Sequence, residues 1–176
     1  NYKRFMDKDR VYVVVHPSYY VFFQNEKTLS SSDDAKVLPS ENIVERFYEK
    51  ISVFDRNIKI FQQQEMILKS FVEFMSEAKK LIILVLPGDY KKHLNYGYVD
   101  GLDEYARYIN EITNGSDSVV YIESIAYNQG NVDSKGMGNL SLFLKEIGAK
   151  TVMLGGGYVG RCLEDFYIDM VSKFGF

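Results

Sequence analysis

Four short runs set the terms for this chain: Arg10–Val15, Leu81–Leu86, Ser118–Ile122 and Lys150–Leu154. Each has the length of a β-strand, and each is rich in aliphatic or β-branched residues. Val11–Val15 and Leu81–Leu86 are unbroken apolar stretches, the pattern of strands covered on both faces, as in parallel sheets. His16–Pro17–Ser18 cuts the first run and Pro87–Gly88 the second.

Helical patterns lie between the runs. From Ser40, a ready N-cap, Ile43, Val44, Phe47 and Ile51 share one face. Glu65 to Lys80 repeats Ile67, Leu68, Phe71, Val72, Met75 and Ala78 at helical spacing. Leu102, Tyr105, Ala106, Ile109 and Ile112 mark a third helix, stopped by Asn114–Gly115. A polar loop, Tyr127 to Gly138, leads to a helix with Leu140, Phe143, Leu144 and Ile147 that Gly148 ends. The last helix carries Val159, Leu163, Phe166, Tyr167, Met170 and Phe174. Asn57 to Phe61 reads as a short strand or as the lead-in to the next helix.

Strands alternating with helices specify an α/β fold. The expectation is a three-layer Rossmann-like sandwich with a mostly parallel sheet of about five strands. Residues 1–176 are read as a single α/β domain with a mobile loop at about 24–40, where Ser30–Ser31–Ser32–Asp33–Asp34 lies.

Ligands of such folds gather at the carboxyl ends of the strands. This sequence sets a polar or reactive group after every strand: His16, Asp89, Glu123, and finally Gly155–Gly156–Gly157 with Arg161 and Cys162. Two readings of the last junction stay open. In one, Gly155, Gly156, Gly157, Tyr158 and Arg161 bind an anion through backbone amides and a guanidinium. In the other, the turn seats the Cys162 thiol, with His16 as base and Glu123 or Asp89 orienting it. Each has a plain structural competitor: a tight glycine turn, a core cysteine, a hydrogen-bonded strand-end histidine.

Gly155–Gly156–Gly157–Tyr158–Val159–Gly160 satisfies G-x-G-x-x-G between a strand and a helix. It looks like the dinucleotide-binding turn of flavin and nicotinamide disulfide oxidoreductases. That resemblance implies a further strand ending in an acidic residue to hold the ribose. None follows before Phe176, so a dinucleotide cofactor is not expected. A longer stretch, Leu140-x-x-Phe143-Leu144-Lys145-Glu146-Ile147-Gly148-Ala149-Lys150-Thr151-Val152-Met153-Leu154, then Gly156 and Cys162, is similar to the isochorismatase-like cysteine hydrolases. The resemblance implies a nucleophilic cysteine near a helix N-terminus, and Cys162 stands there. The family's aspartate and lysine have no counterparts, since the first strand ends Val15–His16–Pro17 and no lysine lies near Gln129.

Composition narrows the partners. A net charge of −3 offers no basic field for nucleic acid. The longest apolar run is too short for a membrane span. One cysteine rules out an internal disulfide and a Cys-rich zinc site, and fits a reducing, cytoplasmic setting. Two histidines without metal-ligand spacing lead us to expect no metal. The chain opens on Asn1 without a signal-type apolar stretch, so the compartment stays open, a leader having been removed or the chain trimmed.

The functional expectation is binding of a small polar or anionic molecule over the strand ends, with thiol-dependent hydrolysis as its sharper form. The alternatives are nucleotide or phosphate binding at the Gly155–Gly160 turn and a catalytically silent module. The latter would act through protein contacts or as a homo-oligomer, using Tyr19–Tyr20–Val21–Phe22–Phe23, Tyr90, Tyr96 and Tyr98.

Overall fold

The computed structural model describes residues 9–17, 58–88, 109–113, 116–126, 129–157, 160–173 and 175. The expected loop at 24–40, the helix after Ser40, the tyrosine-rich stretch 89–101 and the start of the third helix lie outside them. Four strands are described: β1 (Arg10–Val15), β2 (Ile82–Leu86), β3 (Val119–Glu123) and β4 (Thr151–Gly156). The helices are α1 (Ile58–Glu77), α2 (Ser134–Glu146) and α3 (Cys162–Ile168), the last running into a π-helical turn, Asp169–Lys173.

All the strand pairs are parallel, and the order across the sheet is β3-β2-β1-β4. Among the described residues the sheet therefore has four strands, not about five. The candidate fifth, Asn57 to Phe61, opens α1 from Ile58 instead. The glutamines and the glutamate that follow are good helix formers and extend the segment as helix.

Clustering of backbone contacts divides the chain into two compact units. The first is Asn1–Pro17, Phe74–Asp89 and Ser116–Phe176, and the second is Ser18–Glu73 with Tyr90–Gly115. The first holds the sheet, α2 and α3. Val11, Val13 and Val15 of β1 and Ile83 and Val85 of β2 form one buried cluster with Leu140 and Leu144 of α2 and Phe166 of α3. Their alternates, Val14, Ile82 and Leu84, point to the opposite face and are buried too. The unbroken apolar runs thus reflect two covered faces. In the second unit Lys69 pairs with Glu111 at 3.2 Å, and Ile109 and Ile112 are buried.

Several details depart from the sequence reading. On α1 Val72 and Met75 are buried, whereas Ile67 is 69% exposed and Ala78 is also exposed. Periodicity gave a stripe wider than the face the fold covers. On the final helix Phe166 and Met170 are buried, but Tyr167 is 52% exposed. Helix α2 starts at Ser134, inside the stretch read as loop, because the Asp133 carboxylate caps it by accepting from the Gly136 N–H at 2.6 Å. Gly136 fits that first turn because a Cβ there would sit 2.9 Å from a Val132 methyl. Strand β4 runs two residues further than expected, so Gly155 and Gly156 pair with Val14 and Val15 instead of forming a turn.

Candidate functional site

The order of the strands locates the site. The chain steps outward from β1 to β2 to β3, then returns to the other side of β1 for β4. The connections therefore reverse direction between β1 and β4, and at such a point a crevice opens at the carboxyl ends of the strands. His16 follows β1 and Gly157 follows β4.

The end of β4 is shaped by missing side chains. Gly156 adopts φ +99°, and a Cβ on it would lie 2.1 Å from the Val15 carbonyl oxygen. Only glycine tolerates both that conformation and that approach. Gly157 donates its N–H to Val15 at 2.6 Å. The two-residue period of a strand turns the Gly155 N–H toward β1 as well. Of the three amides expected to converge on an anion, those of Gly155 and Gly157 thus face β1, and that of Gly157 is bonded to it. Among the described residues, nothing lies within 4 Å of a Cβ built on Gly155.

Arg161 heads α3, exposed, and its side chain makes no capping bond. The first turn of α3 carries Glu164 and Asp165, which oppose an anion at that helix end. Tyr158 lies outside the described residues.

Cys162, the first residue of α3, is 2% exposed and belongs to the buried cluster. Burial pushes its thiol pKa up; a backbone hydrogen bond opposes the rise, and the weaker charges of Asp165 and Arg161 push it up and down respectively. Gly130 lies against it, since a Cβ on Gly130 would sit 1.6 Å from the Cys162 carbonyl oxygen. The loop bearing Gly130 is hooked to α3 and the turn after it. Gly130 donates its N–H to Asp165 at 3.3 Å, and the Asn131 amide donates to the buried Asp169 carboxylate at 3.1 Å.

His16 is 1% exposed, and its backbone stands at φ +48°. It meets Cys162 across Gly157: a Cβ on Gly157 would lie 3.4 Å from the Cys162 Cβ and 3.8 Å from the His16 Cβ. The fold does bring these two residues to one place. Burial holds the imidazole pKa down at about 4. A histidine this weakly basic beside a thiol this weakly acidic leaves the proton on sulfur, so the resting pair is neutral.

The partner of His16 is one that the sequence reading missed. Its Nε2 lies 2.9 Å from the Oγ of Ser124, a buried residue just past β3. Ser124 Oγ also accepts from the Gly88 N–H at 2.9 Å and lies 2.8 Å from the Ala126 carbonyl oxygen. Glu123, the expected orienting acid, is exposed and makes no hydrogen bond to His16. Neighbouring residues on an extended segment face opposite ways, so one step along the chain exchanges an exposed carboxylate for a buried hydroxyl. A serine ending a strand carries little signal by itself, which is why it was passed over. Asp89 lies outside the described residues, as do the aromatic residues at 19–23 and Tyr90, Tyr96 and Tyr98.

Among the described residues no group of three or more His, Cys, Asp or Glu side chains gathers as a metal ion would need. No described helix is long and apolar enough to cross a membrane. Set against family models, curated proteins and solved structures, the chain matches none.

Proposed function

We propose that the chain forms a three-layer, Rossmann-like α/β domain that binds a small polar molecule at the carboxyl edge between β1 and β4. The observation that carries this reading is the reversal of strand order at that point. The space over Gly155, with no described residue within 4 Å, supplies room, and the exposed Arg161 at the head of α3 a charged hydrogen-bond donor. The first-turn carboxylates of α3 oppose an anionic guest, so ribose is expected to bind more tightly than phosphate or AMP.

Thiol-dependent hydrolysis, of the isochorismatase-like kind, is the second reading. In its favour Cys162 starts α3 next to Gly157 and close to His16. Against it stand the sealed sulfur and the neutral resting pair.

Amide chemical shifts of the full chain, followed while inorganic phosphate, AMP or ribose is added, test the first reading. Saturable shifts grouped on Gly155, Gly156, Gly157 and Arg161 support it. Shifts grouped elsewhere, or none with any of the three probes, overturn it.

A further inference from the structure

Ser124 Oγ stands where four hydrogen-bonding groups converge. The Gly88 N–H and His16 Nε2 each lie at 2.9 Å, the Ala126 carbonyl oxygen at 2.8 Å and the Leu86 carbonyl oxygen at 3.3 Å. A hydroxyl has one proton and two lone pairs. The Gly88 N–H takes one lone pair. The Leu86 carbonyl already accepts from the Ser124 N–H at 3.0 Å, so the shorter 2.8 Å contact to the Ala126 carbonyl takes the serine proton. Aimed at His16 instead, that proton would leave two oxygens 2.8 Å apart with nothing between them. The remaining lone pair can be satisfied only by a proton on Nε2.

We infer that Ser124 is a positioning residue of the β1/β4 crevice, locking His16 as its Nε2–H tautomer and through it the backbone that seats Gly157. The inference rests on the reading of that crevice as the binding site. His16 is the residue through which Ser124 acts, because it ties the strand ends together. Its backbone N–H donates to Val85 of β2 at 2.8 Å, and its ring reaches Ser124 beyond β3. The carbonyl just before it, on Val15, accepts from Gly157 beyond β4 at 2.6 Å. A residue at φ +48° without glycine's freedom persists only where its surroundings hold it there, and the Ser124 bond is such a hold. The tautomer also bears on the thiol reading. With Nε2 protonated, any proton leaving Cys162 for this ring would have to arrive at Nδ1.

Nitrogen-15 spectra of the full chain near neutral pH read the tautomer directly. The expected result is one neutral form, with the proton on Nε2 and the shift of a lone-pair nitrogen at Nδ1. In Ser124→Ala that preference is lost and the Gly156 and Gly157 amide shifts move, while Ser124→Thr retains the wild-type pattern. Should Ser124→Ala not fold, Ser124→Cys, a weak acceptor, carries the same readout. A wild-type ring protonated on Nδ1, or a Ser124→Ala protein with an unchanged Gly157 amide, overturns the inference. Failure of the crevice reading shows separately. If phosphate, AMP and ribose leave the wild-type shifts in place, the positioning role falls while the tautomer result stands.

Discussion

His16 and Ser124, 108 positions apart in the chain, meet at 2.9 Å between Nε2 and Oγ, both buried at the carboxyl edge of the sheet. Their bond joins the ends of β1 and β3 across β2, whose own end enters the same network through Gly88 and Leu86. Buried networks of this kind are costly to break, because each polar group removed strands another.

Acid should weaken the fold through His16. Burial holds its pKa at about 4 in the folded chain, against 6.5 for a solvated imidazole. Between those values the unfolded chain takes up a proton that the folded chain refuses. The contribution is complete above pH 6.5 and is lost as pH falls toward 4, amounting to up to about 3 kcal/mol. Urea midpoints measured from pH 7 to 4 check this. His16→Asn, which tolerates a positive φ, should show a shallower slope; an equal slope would assign the effect to other groups.

Cys162 should resist alkylation. Its thiol is buried, with a pKa raised above the ordinary 9.0, so iodoacetamide at pH 7 should react far more slowly than with free cysteine. Unfolding in urea should restore the ordinary rate. Fast labelling of the folded protein at pH 7 would make the thiol a nucleophile after all and revive the hydrolase reading.

Adjacent glycines should respond in opposite ways. Gly156→Ala places a Cβ 2.1 Å from the Val15 carbonyl oxygen at φ +99°, and should cost about 3 kcal/mol or more. Gly155→Ala meets nothing within 4 Å and should change stability by less than about 1 kcal/mol. Thermal melts of the two variants decide. Similar losses in both would mean that β4 does not lie on β1 in this register.

Gly130→Ala should uncover the cysteine. The new Cβ would fall 1.6 Å from the Cys162 carbonyl oxygen, so the loop must lift or α3 must shift. Iodoacetamide labelling at pH 7 should then rise by roughly tenfold or more, the factor that about 1.4 kcal/mol of local opening supplies. Circular dichroism would confirm that the helices remain. An unchanged rate in a folded variant would show that the loop does not seal the thiol.

Much of the architecture was legible locally. Val11–Val15 and Leu81–Leu86 could be little other than strands, and their unbroken apolar character announced a parallel sheet covered on both faces. Of the groups expected after the strands, His16 does follow β1, while Glu123 and Gly155–Gly156 fall inside β3 and β4. Three local readings failed for stated reasons. Ile67 follows helical period yet is exposed, because period says which residues share a face and not how much of it is covered. Gly155 and Gly156 look like a turn, yet pair as strand because β1 approaches where side chains are missing. Asp133 was not recognised as a cap, so α2 was begun too late.

The sequence alone thus determined the kinds of element and their alternation, since propensity and side-chain period act over a few residues. The tertiary structure decided the order β3-β2-β1-β4 and, with it, that the connections reverse between β1 and β4. It also decided that His16 bonds Ser124 and not Glu123, and that Cys162 is sealed. Those outcomes depend on contacts between segments far apart in the chain, where one step along an extended backbone reverses the face a side chain meets.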